Sequence, residues 1–162
     1  MGLLKRLLYR KAAVVTVQHR SQAPIDEGFR LPGDPPYRIR LVQRWPEGLG
    51  ESLVPNVSVL AAEAAQAGML GEMIDYGSER RIELIREGDS SGDSNAIKVM
   101  GYWSDPRGGQ RGAHIGYIPR DVAAQLAQQH GRVKLGARIL SMYRSRSGMP
   151  PGVELDIGGP KG

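Results

Sequence analysis

The strongest constraint on this chain is the distribution of its apolar residues. They fall in short, β-branched runs, each closed by glycine, proline or a polar turn. Residues 57–61 (VSVLA), 81–86 (RIELIR), 95–102 (NAIKVMGY), 113–118 (AHIGYI), 138–143 and 153–157 all read as strands. Residues 87–94 (EGDSSGDS), 106–112 and 144–152 read as turns and loops. Helix is scarce. Pro119 opens one over residues 120–129 (RDVAAQLAQQ), with Val122 and Leu126 inward and Gly131 ending it. Residues 61–74 are Ala-rich and helix-permissive, although Gly68 and Gly71 lower their propensity. Short strands with one or two helices predict a mainly β fold with minor α, built as a small barrel.

The N-terminal third reads differently. Residues 1–11 (MGLLKRLLYRK) place leucines on one helical face and basic residues mostly opposite. Residues 13–17 (AVVTV) are strand-like, and residues 21–36 are dense in proline and glycine and read as a loop. In residues 37–43, Tyr37, Ile39 and Leu41 alternate with Arg38 and Arg40, the pattern of a half-buried strand with a basic outer face. Residues 45–55 again read as loop, with Pro46, Gly48, Gly50 and Pro55. The expected organisation is therefore a basic extension over 1–54 with two strands, a barrel domain over 55–158, and a short tail over 159–162.

Charge narrows the choice of partners. The net charge is +5. Residues 1–55 carry nine Lys/Arg against five Asp/Glu, residues 56–100 four against eight, and residues 101–162 nine against four. Basic flanks around an acidic middle favour a polyanion, because neutralising phosphates releases counterions. The chain has no cysteine, which excludes disulfides, thiolate metal sites and a thiol nucleophile. His19, His114 and His130 lack ligand spacing, so no zinc site is expected. No apolar run approaches the roughly 18–20 residues of a membrane helix, so no membrane partner is expected and a cytoplasmic location is. Phosphate-loop, G-x-S-x-G and H-E-x-x-H signatures are all missing. No enzymatic activity and no cofactor are expected.

Two segments carry a family resemblance: IREGDSSGDSNAIKV at residues 85–99 and HIGYIPRDVAAQLA at residues 114–127. In the first, Arg86, Glu87, Asp93, Asn95, Ala96, Ile97 and Val99 fit the pattern L-x-R-E-P-x-N-x-x-D-x-N-A-[IV]-x-V. In the second, Gly116, Tyr117, Ile118, Pro119, Arg120, Asp121, Ala124 and Ala127 fall in or near the places of [LI]-G-[YH]-[IVL]-P-[RK]-[DE]-x-A-x-x-[LI]-A. Over residues 55–158 the chain resembles the HIRAN domain family, in a standalone form. The resemblance implies a small OB-like β-barrel. It also implies a module that binds single-stranded DNA at a free 3′-hydroxyl and helps remodel stalled replication forks. The chain departs from that pattern at Gly92, where end-binding members carry an aromatic, and at Ala61, Ala62, Glu63 and Ala64, where they carry an Arg–aromatic pair.

The expected function is non-catalytic binding of nucleic acid, single-stranded DNA or DNA 3′ ends, in DNA repair or replication-fork processing. Tyr117 is expected to stack on a base, and Arg120 and Lys98 to hold phosphates. As the resemblance implies, Asp93 would accept a hydrogen bond from a terminal sugar hydroxyl. Asn95 shares its turn. Arg107 and Arg111, in the loop before the Gly-Tyr strand, together with Arg144 and Arg146, would form a positive lip if the loops share one rim. Tyr102 and Trp103 would add aromatic surface. Two other readings belong to different classes. One is a protein-interaction barrel that contacts its partner through the N-terminal extension. The other is a metal-dependent nuclease built on Glu83, Glu87, Asp89 and Asp93.

Overall fold

The computed structural model describes residues 28–41, 43–88 and 93–161. The expectations for residues 1–11 and 13–17 lie outside the described residues. Eight strands and two helices follow in the order β1 (Gly28–Phe29), β2 (Arg38–Leu41), β3 (Leu49–Leu60), α1 (Ala64–Tyr76), β4 (Ser78–Arg86), β5 (Ile97–Ser104), β6 (Gln110–Tyr117), α2 (Arg120–His130), β7 (Gly136–Tyr143) and β8 (Gly152–Pro160). All pairings are antiparallel. Among the described residues the fold is mainly β with two helices, as the short apolar runs predict.

The sheet runs β3–β8–β7–β4–β5–β6, and β1–β2 branch from β7. It curls but is not closed by hydrogen bonds. The two ends meet where β6 presses on β3: a Cβ at Gly116 would lie 2.8 Å from Val59 Cγ1 and 3.2 Å from the Leu60 carbonyl oxygen. Glycine there lets the ends approach without a ladder, so the barrel is open at this seam.

The concave face holds one core. Leu70 and Met73 of α1 and Leu126 of α2 pack against Val99, Trp103, Ile115, Ile139, Met142, Leu155 and Ile157, all fully buried. α1 forms despite its two glycines. Gln66 Oε1 accepts from the N–H groups of Ala62 and Glu63 at its start. Arg80 donates to the carbonyls of Met73 and Ile74 at its end. These bonds answer the unpaired groups that every helix terminus leaves. α2 starts at Pro119 and ends at Gly131, whose φ of 59° is cheap for glycine.

Three expectations change. The boundary at 54/55 falls inside β3, which runs unbroken through the segment expected to be a loop. Pro55 is tolerated because β3 pairs only with β8, and a left-handed Asn56 (φ 59°) and register shifts absorb the irregularity. Residues 28–41 are built into the domain: β2 pairs with Arg38–Arg40 opposite Ser141–Tyr143 of β7. The tail is also partly sheet, since β8 continues to Pro160. Where β2 and β4 diverge from β7, the buried side chain of Gln43 bridges the fork. Its Nε2 donates to Arg80 O (2.8 Å) and its Oε1 accepts from Ile139 N (2.7 Å).

Candidate nucleic-acid interface

The β5–β6 hairpin places the expected site residues, and its pleat decides which of them meet. Ile97, Val99, Gly101 and Trp103 point to the core, so Lys98, Met100, Tyr102 and Ser104 face outward. Tyr117 lies directly across from Lys98. The Ile118 N–H donates to Ile97 O (3.0 Å), which fixes the start of α2 against the same end of β5. On the other side, the turn between β4 and β5 is held by Ala96 N to Asp93 O (3.1 Å) and by Asn95 N to the Asp93 carboxylate (3.0 Å). Asp93, Asn95, Lys98, Tyr117 and Arg120 therefore gather at one end of the sheet.

This end carries mixed charge. The Tyr117 hydroxyl donates to Glu87 Oε1 (3.0 Å), and Lys98 Nζ lies 4.0 Å from the other Glu87 oxygen. That hydrogen bond, followed by partial burial and the charges of Glu87 and Glu63, raises the Tyr117 pKa. The phenol therefore stays a neutral donor at physiological pH. Arg120 Nε sits 3.4 Å from Asp93 Oδ2 with its side chain 85 % exposed. So open a pair is weak, and the guanidinium can exchange its carboxylate for a phosphate at little cost. Beside Tyr117, His114 packs edge-on at 4.8 Å between centroids. Its Nε2 lies 2.9 Å from the Gly116 carbonyl, which can only accept, so this nitrogen carries the proton.

The family model for the HIRAN domain matches residues 64–144, half of the chain. The chain belongs to the HIRAN domain family. HIRAN domains are DNA-binding modules. Searches of curated proteins and of solved structures give no match. The HIRAN match spans α1 to β7, and β3 and β8 extend the sheet beyond it on both sides of the sequence.

Within this HIRAN domain the expected basic lip does not assemble around Tyr117. Arg111 points inward to α1, with Nε 2.9 Å from Glu72. Arg107 is tied to Asp105 by a charged pair at 2.9 Å and reaches toward Glu72 at 4.0 Å. Arg144 pairs with Asp75 of the same helix at 2.9 Å, and Arg146 stacks on Tyr37 at 3.8 Å. Glu72 and Asp75 thus draw three of the four arginines toward α1, at the opposite end of the β5–β6 hairpin from Tyr117 or beyond it. Trp103 is wholly buried and offers no surface, whereas Tyr102 faces outward.

The carboxylates proposed for a metal are also separated. Glu83 accepts from Tyr102, Glu87 from Tyr117, and Asp93 from the Asn95 amide. Asp89 lies outside the described residues. Among the described residues, no group of three or more His, Asp or Glu is arranged to hold a metal ion.

Sequence reasoning missed Arg81. Its guanidinium lies 4.4 Å over the Tyr102 ring on the outer face. The signal was available: Arg81, Glu83 and Ile85 alternate with the inward Ile82 and Leu84.

Proposed function

We propose that this chain is a non-catalytic module that binds single-stranded DNA at a free 3′ end, in DNA repair or replication-fork processing. The observation that carries this reading is the convergence of Tyr117, Lys98, Arg120 and Asp93 at the start of α2. Two cations there can meet phosphates, and Tyr117 offers a ring for stacking. The carboxylates of Asp93 and Glu87 are acceptors, suited to a sugar hydroxyl and hostile to a terminal phosphate. A purely cationic groove would favour continuous backbone, so mixed charge supports recognition of an end. No helix among the described residues is long and apolar enough to cross a membrane.

The test is fluorescence anisotropy with a 5′-labelled single strand ending in a 3′-hydroxyl, the same strand ending in a 3′-phosphate, and a closed hairpin. It is run at low and moderate salt, with Mg²⁺ present in a parallel set. The free 3′-hydroxyl is expected to bind best, affinity is expected to fall as salt rises, and the strand is expected to stay uncut. Equal binding of all three would leave a generic groove. Absence of binding at low salt would overturn the reading and turn attention to a protein partner.

A further inference from the structure

Among the described residues no helix covers the outer face of β4–β5–β6, since both helices contribute their buried residues to the other face. Exposed Tyr117 and Ile85 lie at one end of it, and the half-buried Tyr102 lies toward the other. Tyr102 is held flat. A Cβ at Gly112, its cross-strand neighbour, would lie 2.7 Å from the Tyr102 ring, so glycine there lets the ring lie down on the sheet. The Tyr102 hydroxyl donates to Glu83 (3.1 Å), which fixes the ring from its edge. Arg81 then lies across the ring's other face. The product is a three-layer stack of glycine backbone, tyrosine and guanidinium.

Arg80 and Arg86 of the same strand donate to backbone carbonyls, and Arg146 stacks on Tyr37. Arg38, Arg40, Arg107, Arg111, Arg120, Arg138 and Arg144 each have a carboxylate partner within ion-pair distance. Arg81 instead packs over the Tyr102 ring. It is a half-buried planar cation laid on an aromatic ring, a geometry that suits a nucleobase face or a phosphate.

We propose that Arg81, seated on Tyr102, is a second contact for single-stranded nucleic acid, taken by nucleotides that lead away from the Tyr117 end site across the outer sheet face. The proposal rests on the end-binding reading above. Continuity supports it: Lys98, opposite Tyr117, and Tyr102, opposite Gly112, share one face of β5. Four residues separate them, about 14 Å of strand, which a few nucleotides span. The edge of His114 against Tyr117 extends the aromatic surface in the same direction. Glu83 sits on the β4 side of this track, so the phosphates are steered toward β6.

The experiment measures binding of 5′-labelled dT3 and dT8, each with a free 3′-hydroxyl, to the full chain and to Arg81→Ala, Arg81→Lys and Tyr102→Leu. The native chain is expected to bind dT8 more tightly than dT3. Arg81→Ala should cut dT8 affinity by about 5- to 150-fold, the range of one lost stacking contact, and leave dT3 within about twofold. Arg81→Lys keeps the charge but loses the plane and should fall between. Tyr102→Leu should follow Arg81→Ala, with thermal melting as the check that it folds. If the dT8 advantage survives Arg81→Ala while dT3 binding is intact, the second contact is refuted and the end site stands. If neither oligonucleotide binds the native chain at low salt, the end-binding reading fails and takes this one with it.

Discussion

Replacing Gln43 by methionine tests how residues ahead of the HIRAN match hold the domain together. Gln43 is 6 % exposed and fills the fork where β2 and β4 part from β7. Methionine has nearly the same volume, so repacking alone should cost less than about 1.5 kcal/mol. The larger loss is polar. The Ile139 N–H and the Arg80 carbonyl both lose the partner that Gln43 gives them. Each buried group left unpaired costs about 1–3 kcal/mol, so the expected destabilisation from the two is about 2–6 kcal/mol. For a chain of this size that lowers Tm by about 4–24 °C. Urea unfolding followed by circular dichroism gives the free energy, and an unchanged slope would show that the native state stays compact. Gln43→Glu sharpens the test. At neutral pH a carboxylate would face the Arg80 carbonyl; when protonated it could donate to it. The introduced carboxyl should have a raised folded-state pKa, so this variant should lose stability as pH rises through that value. A loss below about 0.5 kcal/mol in Gln43→Met would refute the bridging role and return residues 28–43 to the status of a dispensable extension.

Two further outcomes follow from the geometry. Gly116→Ala places a methyl against Val59 and the Leu60 backbone at the open seam, and should cost about 1–3 kcal/mol; a neutral change in urea melting would mean that β3 and β6 separate freely. Asp34 is held down to about 2 from 3.8, first by its hydrogen bond from Arg40 and then by that from the Leu31 amide. A depressed carboxyl stabilises the fold above its unfolded value and loses that contribution as pH falls toward 2. A carboxyl NMR titration should therefore show its midpoint near 2, moving up in Arg40→Met; a native midpoint at 3.8 would refute the pairing.

How much of this was legible in the sequence follows from which interactions are local. Residues 95–102, 113–118 and 138–143 announce themselves as strands, and α2 by Pro119, Leu126 and Gly131, because period and end signals are carried by neighbours in the chain; Gln110–Gly112, which read as loop, belong to β6. The first part of β3, residues 49–56, was hidden: Pro55 and the glycines before it look like loop, and only its place at an edge of the sheet makes them harmless. The separation of Arg111 from Tyr117 was hidden for a subtler reason. Six residues apart on one strand, the two should share a face. The register shift between Val99↔Gly116 and Met100↔His114 inserts one extra residue, Ile115, and turns Arg111 to the core side. Gln43 carries no local mark at all, since both its partners are distant in sequence. Asp93, Tyr117 and Arg120 are marked by the two family motifs and Lys98 by its alternation with Ile97 and Val99, whereas the Arg81–Tyr102 stack joins two strands and emerges only from their pairing.

The most direct measurement of the central claim is a backbone amide chemical-shift map on titration with a short single strand bearing a free 3′-hydroxyl. Shifts should concentrate at residues 93–98 and 117–121, and should disappear in the double variant Tyr117→Ala, Arg120→Ala with its fold retained. Shifts confined to the α1 and Arg144 side, or a spectrum that does not move at saturating strand, would contradict the assignment of this end of the sheet as the DNA-binding site.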